Sequence, residues 1–162
     1  MGLTGLGIFH TAIGVAALAA AGTSFVRFGK IDMMQISGKI YFYTTAITAV
    51  TALGISKSGS FNAGHIFSIF ILLLVLAAFW LSNRRKHSGK ETYVEIFLLS
   101  LSFFLSLIPT VNETFTRIPL RHPLAKSAAD PVIAKTLLVL LIVFISGSVY
   151  QYRKTKKSDQ NK

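Results

Sequence analysis

Apolar residues run through this chain in long blocks separated by short polar connections, and no stretch alternates with the period of a strand. Five blocks approach the roughly 20 apolar residues a helix needs to cross a bilayer core. They lie at 3–27, 38–56, 61–82, 92–109 and 132–151, and each is apolar nearly all round, as lipid-facing helices require. The connections are Arg27, Gly29 and Lys30 after the first block, and Lys57-Ser58-Gly59-Ser60 after the second. Asn83-Arg84-Arg85-Lys86-His87 closes the third. Pro109 is expected to stop the fourth, with Pro119, Pro123 and Pro131 breaking the loop that follows. The pattern predicts an all-α integral membrane helical bundle of about five transmembrane helices. It forms one domain over residues 1–152, with a frayed basic cytoplasmic tail over 153–162.

Composition agrees with this class. Of 162 residues, 52% are hydrophobic and only 14% charged, against about 25% in an ordinary soluble domain. Cysteine is absent, which removes disulfides, thiolate nucleophiles and cysteine-ligated metals or clusters. A formal charge of +11 would point a soluble protein toward nucleic acid, but here the cations cluster between apolar blocks. No Walker loop, dinucleotide fingerprint or HExxH occurs.

The cations also predict an orientation. With the N-terminus outside, twelve of them are cytoplasmic: Arg27, Lys30, Lys39, Arg84, Arg85, Lys86, Lys90, Arg153, Lys154, Lys156, Lys157 and Lys162. Five are outside: Lys57, Arg117, Arg121, Lys126 and Lys135. The positive-inside rule therefore predicts N-out and C-in, with the inner cations on anionic lipid headgroups. Ala19-Ala20-Ala21 resembles a signal-peptide cleavage site. The cations follow that block instead of preceding it, so an uncleaved first span is expected. Trp80, Tyr150 and Tyr152 fit the inner aromatic belt.

Two histidines interrupt this apolar pattern. His10 lies in the first block and His65 in the third, where a titratable side chain is a functional-site hypothesis. In the predicted topology both blocks run inward, which places His10 about 10 Å and His65 about 6 Å from the outer surface. Two histidines at like depth on facing helices suit axial ligation of a haem iron, or a transition metal. Gly7 and Gly14 share the face of His10, and Gly64 adjoins His65. Such glycines admit either a flat macrocycle or a neighbouring helix. Arg117 and Arg121 are candidate partners for carboxylates such as haem propionates, with His122 beside them. Glu113 and Arg117, four residues apart, are expected to pair at the outer surface, where a quinone or other substrate could also sit. The other use of a membrane histidine is a hydrogen bond to a neighbouring helix. Thr44, Thr48 and Thr51, and likewise Ser102 and Ser106, are expected to bond across helices or back to their own carbonyls. Glu95 is expected in a surface ion pair with the Arg84–Lys86 cluster.

Several short motifs together resemble an uncharacterised prokaryotic membrane-protein family, domain of unknown function 2306. They are His10-Thr11-Ala12-Ile13-Gly14, Gly38-Lys39-Ile40-Tyr41, His65 opening the third block, the basic exit with His87, and Asn112-Glu113-Thr114-Phe115-Thr116-Arg117-Ile118-Pro119. The resemblance implies a prokaryotic inner membrane. It also implies a histidine shortly before the Gly-Lys-x-Tyr element, where this chain has Gln35. With that histidine and His87 the pattern would be similar to the four-helix di-haem transmembrane cytochromes b. Without it one haem b site is expected, at His10 and His65. The leading expectation is thus a small haem-binding protein of membrane electron transfer. The alternatives are a cofactor-free structural or accessory membrane protein and a small-solute carrier, alone or as a homo-oligomer. Paired intramembrane carboxylates, which a proton-coupled carrier would use, are missing.

Overall fold

A computed structural model of the protein describes residues 4–55, 61–84, 89–119 and 122–160. Five α-helices, and no strand among the described residues, make up the fold: α1 (Gly5–Phe28), α2 (Ile36–Leu53), α3 (Ala63–Ser82), α4 (Gly89–Arg117) and α5 (Pro131–Gln160). Four of them, α1, α3, α4 and α5, are long and apolar enough to cross a membrane. The fold is therefore that of a helical membrane protein. α2 has 18 residues and carries Lys39, Tyr41, Tyr43 and four threonines, so it is less apolar than the apolar stretches of the other four.

Local chemistry sets the helix ends. The Thr4 side chain accepts the Gly7 N–H at 3.2 Å to start α1. Gly29 stops it, with φ at 71° and its N–H on the Phe25 carbonyl. Asp130 opens α5 by accepting the N–H groups of Lys126 and Val132, each at 3.1 Å. Two ends differ from the sequence expectation. α4 runs through Pro109 to Arg117. Proline removes one N–H from the ladder, but in a membrane helix neighbouring hydroxyls and packed helices compensate. The Ser106 and Thr110 hydroxyls beside it fold back onto the Ser102 and Ser106 carbonyls, at 2.8 and 2.7 Å, as hydroxyls in an apolar helix do. α5 likewise continues past its apolar part as far as Gln160, so the basic tail is helical where fraying was expected. Lysine and arginine are good helix formers, and cations suit a helix C-terminus.

Each helix packs chiefly on its neighbours in sequence, as α1 on α2, α2 on α3, α3 on α4 and α4 on α5. The contacts make these pairs antiparallel. His10 near the start of α1 meets Thr48 and Thr51 near the end of α2, while Ser24 near the end of α1 donates to Ser37 at 2.6 Å. Phe42 stacks on Phe79 with ring centroids 4.8 Å apart, and Tyr93 meets Tyr152 at 5.1 Å. The starts of α1, α3 and α5 therefore share one end of the bundle, here the histidine end. The opposite, basic end carries Arg27, Lys30, Lys39, Arg84, Lys90 and, from α5, Arg153, Lys154, Lys156 and Lys157.

The main core lies toward the basic end. Ala17, Ala20 and Ala21 of α1 let α2 approach closely, and Tyr41, Val75, Ala78 and Leu99 complete the packing. Ile31 and Met33, in the α1–α2 turn, are buried in the same cluster. The turn folds tightly enough that a Cβ at Gly38 would overlap the Asp32 carbonyl. A smaller cluster at the histidine end joins Val111, Ala125 and Ile133.

Candidate functional site

The helices bring His10 and His65 to the same end of the bundle but bind their rings in opposite ways. His10 lies half-buried on α1, facing α2. Its Nδ1 is 3.1 Å from the Thr48 carbonyl oxygen and 3.1 Å from the Thr51 hydroxyl. A carbonyl only accepts, so Nδ1 carries the proton. The Thr51 hydroxyl sends its own hydrogen to the Ile47 or Thr48 carbonyl, at 2.9 and 3.0 Å, and offers His10 a lone pair. His10 is therefore the Nδ1–H tautomer with a bare Nε2.

His65 is 5% exposed, at the third position of α3. Asn62 caps this helix, its side-chain oxygen accepting the Gly64 and His65 N–H groups at 2.8 and 3.4 Å. The ring closes a reciprocal capping box: the Asn62 N–H donates to His65 Nδ1 at 3.0 Å. A backbone N–H only donates, so Nδ1 is bare and Nε2 carries the proton. That Nε2 is buried and has no partner among the described residues.

These tautomers test whether the pair fits a haem. An imidazole that binds iron through Nε2 needs a lone pair there and commonly donates Nδ1–H to a carbonyl. His10 meets both conditions. His65 meets neither, because its Nε2 holds the proton and its Nδ1 faces an N–H. Of the three glycines, only Gly14 faces another helix, and the other two meet their own helix caps. A Cβ at Gly14 would touch Thr48 at 3.6 Å, one at Gly7 would meet Thr4 at 3.3 Å, and one at Gly64 would meet Asn62 at 3.0 Å. The residues present do not fit a bis-histidine haem. Among the described residues no group of three or more His, Asp or Glu side chains is placed to hold a metal ion.

The remaining candidates are dispersed. Glu113 and Arg117 form an exposed ion pair at 2.6 Å on the last turns of α4. His122 is exposed, and its backbone N–H donates to the Pro119 carbonyl. Arg121, His87, Arg85, Lys86 and the Lys57–Ser60 turn lie outside the described residues. Gln35 is the N-cap of α2, and its side chain makes no capping bond. The threonines at 44, 48 and 51 bond back to their own helix, as does Ser106. Glu95 is not a surface residue: it is 5% exposed, and its carboxylate accepts the Met33 N–H at 3.4 Å. Glu91 meets Arg84 at 3.8 Å, while Arg85 and Lys86 of the expected cluster lie outside the described residues.

Sequence reasoning missed a second polar group, at the basic end. Buried Gln151 donates to the Gly29 carbonyl at 3.0 Å and accepts from Ser100 at 3.2 Å, so it joins α5 to α1 and α4. Fully buried Tyr41 shares a 2.8 Å hydrogen bond with Ser102. The available signal was position: Gln151 follows Ser148 by three residues on an otherwise apolar helix. No family model, curated protein or solved structure matches this chain. The resemblance to domain of unknown function 2306 therefore rests on the quoted motifs alone.

Proposed function

We propose that this chain is a small multi-pass membrane protein of the structural or accessory kind, whose buried histidines hold helices in place and bind no haem between them. The observation that carries this reading is the Asn62 N–H on His65 Nδ1, which puts the proton on the nitrogen an iron would need. Every polar bond at His10 and His65 is one that helix packing or capping uses. In this reading α2 crosses with the other four helices. The amino terminus and the histidine end face outward, and the basic end meets the anionic headgroups of a prokaryotic plasma membrane. Because the chain has no cysteine, single introduced cysteines near Thr4 and Gln160, labelled by an impermeant maleimide in intact cells, test that orientation.

The deciding measurement is the oxidised and reduced absorption spectrum of protein purified from haem-replete cells. The expected result is no Soret band. A Soret band lost in both His10→Ala and His65→Ala overturns the reading and restores the bis-histidine site. A second reading has one supporting observation: His10 donates Nδ1–H to Thr48 and keeps a bare Nε2, the arrangement of a single proximal ligand. It requires a Soret band that His10→Ala removes and His65→Gln leaves intact. A bound iron would supply one-electron chemistry there, with His10 as its one protein ligand.

A further inference from the structure

α5 has two contrasting sides. Ile133, Leu137, Phe144, Ser148, Gln151 and Thr155 follow one another at helical steps, and this side meets the bundle. Ile133, Ser148 and Gln151 are buried, Leu137 packs on the small cluster, and Phe144 stacks on Phe104 at 5.0 Å. Away from that side, Val132, Val139, Val143 and Tyr150 form one exposed line among other exposed apolar residues, and the same line then runs into Lys154 and Lys157. At 3.6 residues per turn, Arg153, Lys154, Lys156 and Lys157 occupy an arc of about 160° that includes the line of that apolar stripe, with Lys154 and Lys157 to either side of it. The Lys154 ammonium lies 5.8 Å from the centre of the Tyr150 ring. Among the described residues none of the four cations forms an ion pair. Exposed Lys135 marks the other end of the stripe, about 27 Å from Arg153 at 1.5 Å per residue. That is close to the thickness of a bilayer's hydrocarbon core, about 30 Å.

α3 repeats the arrangement. Its exposed stripe of Ile66, Phe70 and Leu73 ends in Trp80, and four residues on the Arg84 guanidinium lies 3.6 Å from the Trp80 ring centre. Both outward stripes thus finish in an aromatic ring with a cation one turn beyond it.

A molecule that touches both parts of the α5 stripe must carry a negative head on a long apolar tail lying along the helix. A soluble acidic protein would meet the cations alone and leave the stripe unused. We infer that the outward side of α5 is a binding site for an anionic phospholipid. An acyl chain runs along Val139 and Val143, and the headgroup phosphate lies among Arg153, Lys154 and Lys157 beside the Tyr150 ring. Each cation at such a surface attracts an anionic lipid by about 1 kcal/mol, which is about fivefold. The inference rests on the reading that α5 crosses a membrane.

The test uses the full chain in lipid nanodiscs with spin-labelled phosphatidylglycerol or phosphatidylcholine, and reads the fraction of each label immobilised by the protein. The expected preference for phosphatidylglycerol is at least about fivefold. R153Q/K154Q/K156Q/K157Q should bring it within about twofold of unity. The variant K154S/S158K/T155K/K157T keeps the charge but moves two lysines off the stripe, and it should lose most of the preference. No preference in the parent chain overturns the site, as does full preference in the rearranged variant. Capture of a poly-glutamate peptide by nanodiscs of phosphatidylcholine, without any lipid preference, assigns the cations to an acidic protein and also overturns it. Absence of any immobilised lipid refutes the membrane-crossing reading itself, a result distinct from immobilised lipid without headgroup preference.

Discussion

The two ends of this bundle use buried polar groups differently. At the histidine end the bonds are local or join one pair of neighbours: Asn62 and His65 are three residues apart, and His10 reaches only α2. At the basic end they join distant parts of the chain, Met33 to Glu95 and Gly29 to Gln151, beneath a turn whose Ile31 and Met33 are buried. The contrast separates groups that finish a helix from groups that hold the helices to one another. A local cap can be lost with one helix end fraying. A long-range bond between buried groups is lost only with the packing around it.

Substitutions that break this contrast differ in size. The largest loss is expected for Gly38→Ala, because the added methyl would collide with the Asp32 backbone and displace the turn that carries Ile31 and Met33. Thermal unfolding in detergent should register about 3 kcal/mol. Gln151→Ala removes two buried bonds and should cost about 2 kcal/mol in the same assay. At the other end His65→Ala should cost about 1 to 2 kcal/mol, and His65→Gln should recover part of it, since glutamine is a usual capping-box partner at that position. A loss for His65→Ala exceeding that for Gly38→Ala would reverse the assignment of the two ends.

A subtler measurement sharpens the difference between the histidines. Nitrogen-15 spectra of the labelled imidazoles at neutral pH should show protonated Nδ1 at His10 and protonated Nε2 at His65. The same tautomer at both would remove the argument against shared ligation. The smallest effect is expected at Asp130, outside the helix spans. The Lys126 and Val132 N–H groups hold its carboxyl below the usual aspartate value. A depressed folded value means that the cap contributes at neutral pH and is lost as pH falls through that value, below about 4. Protection of the Val132 amide, its exchange rate relative to the intrinsic rate at the same pH, should therefore fall in acid in the parent chain, and should be low at all pH in Asp130→Ala.

Much of this architecture was legible in the apolar pattern. All five helices correspond to blocks seen in the sequence, and the Glu113–Arg117 pair follows from its spacing alone. Pro109 misleads because its usual meaning as a helix stop comes from helices whose ends can turn to water; in an apolar surrounding the backbone groups beyond it find partners only by continuing the helix. The histidines were found as anomalies but their chemistry was not. Which ring nitrogen is protonated depends on whether a carbonyl or an amide lies beside it, and only the folded backbone decides that. Even so, asparagine three residues before His65 carried a trace of the capping box. The buried turn and Gln151 left still less signal, because apolar residues in a connection and a glutamine near a basic tail both look like surface.

The order in which the helices pack has a bearing on synthesis. Because each helix after the first packs on the one made just before it, the bundle can begin to assemble as it is translated. The bonds of Met33 to Glu95 and Tyr41 to Ser102 wait for α4, and the bond from Gln151 to the Gly29 carbonyl, whose ends are 122 residues apart, waits longest. It can close only after α5 has been made, which makes it a marker of completed biogenesis. A chain arrested before Gln151 would hold four docked helices with the Gly29 carbonyl still awaiting that donor.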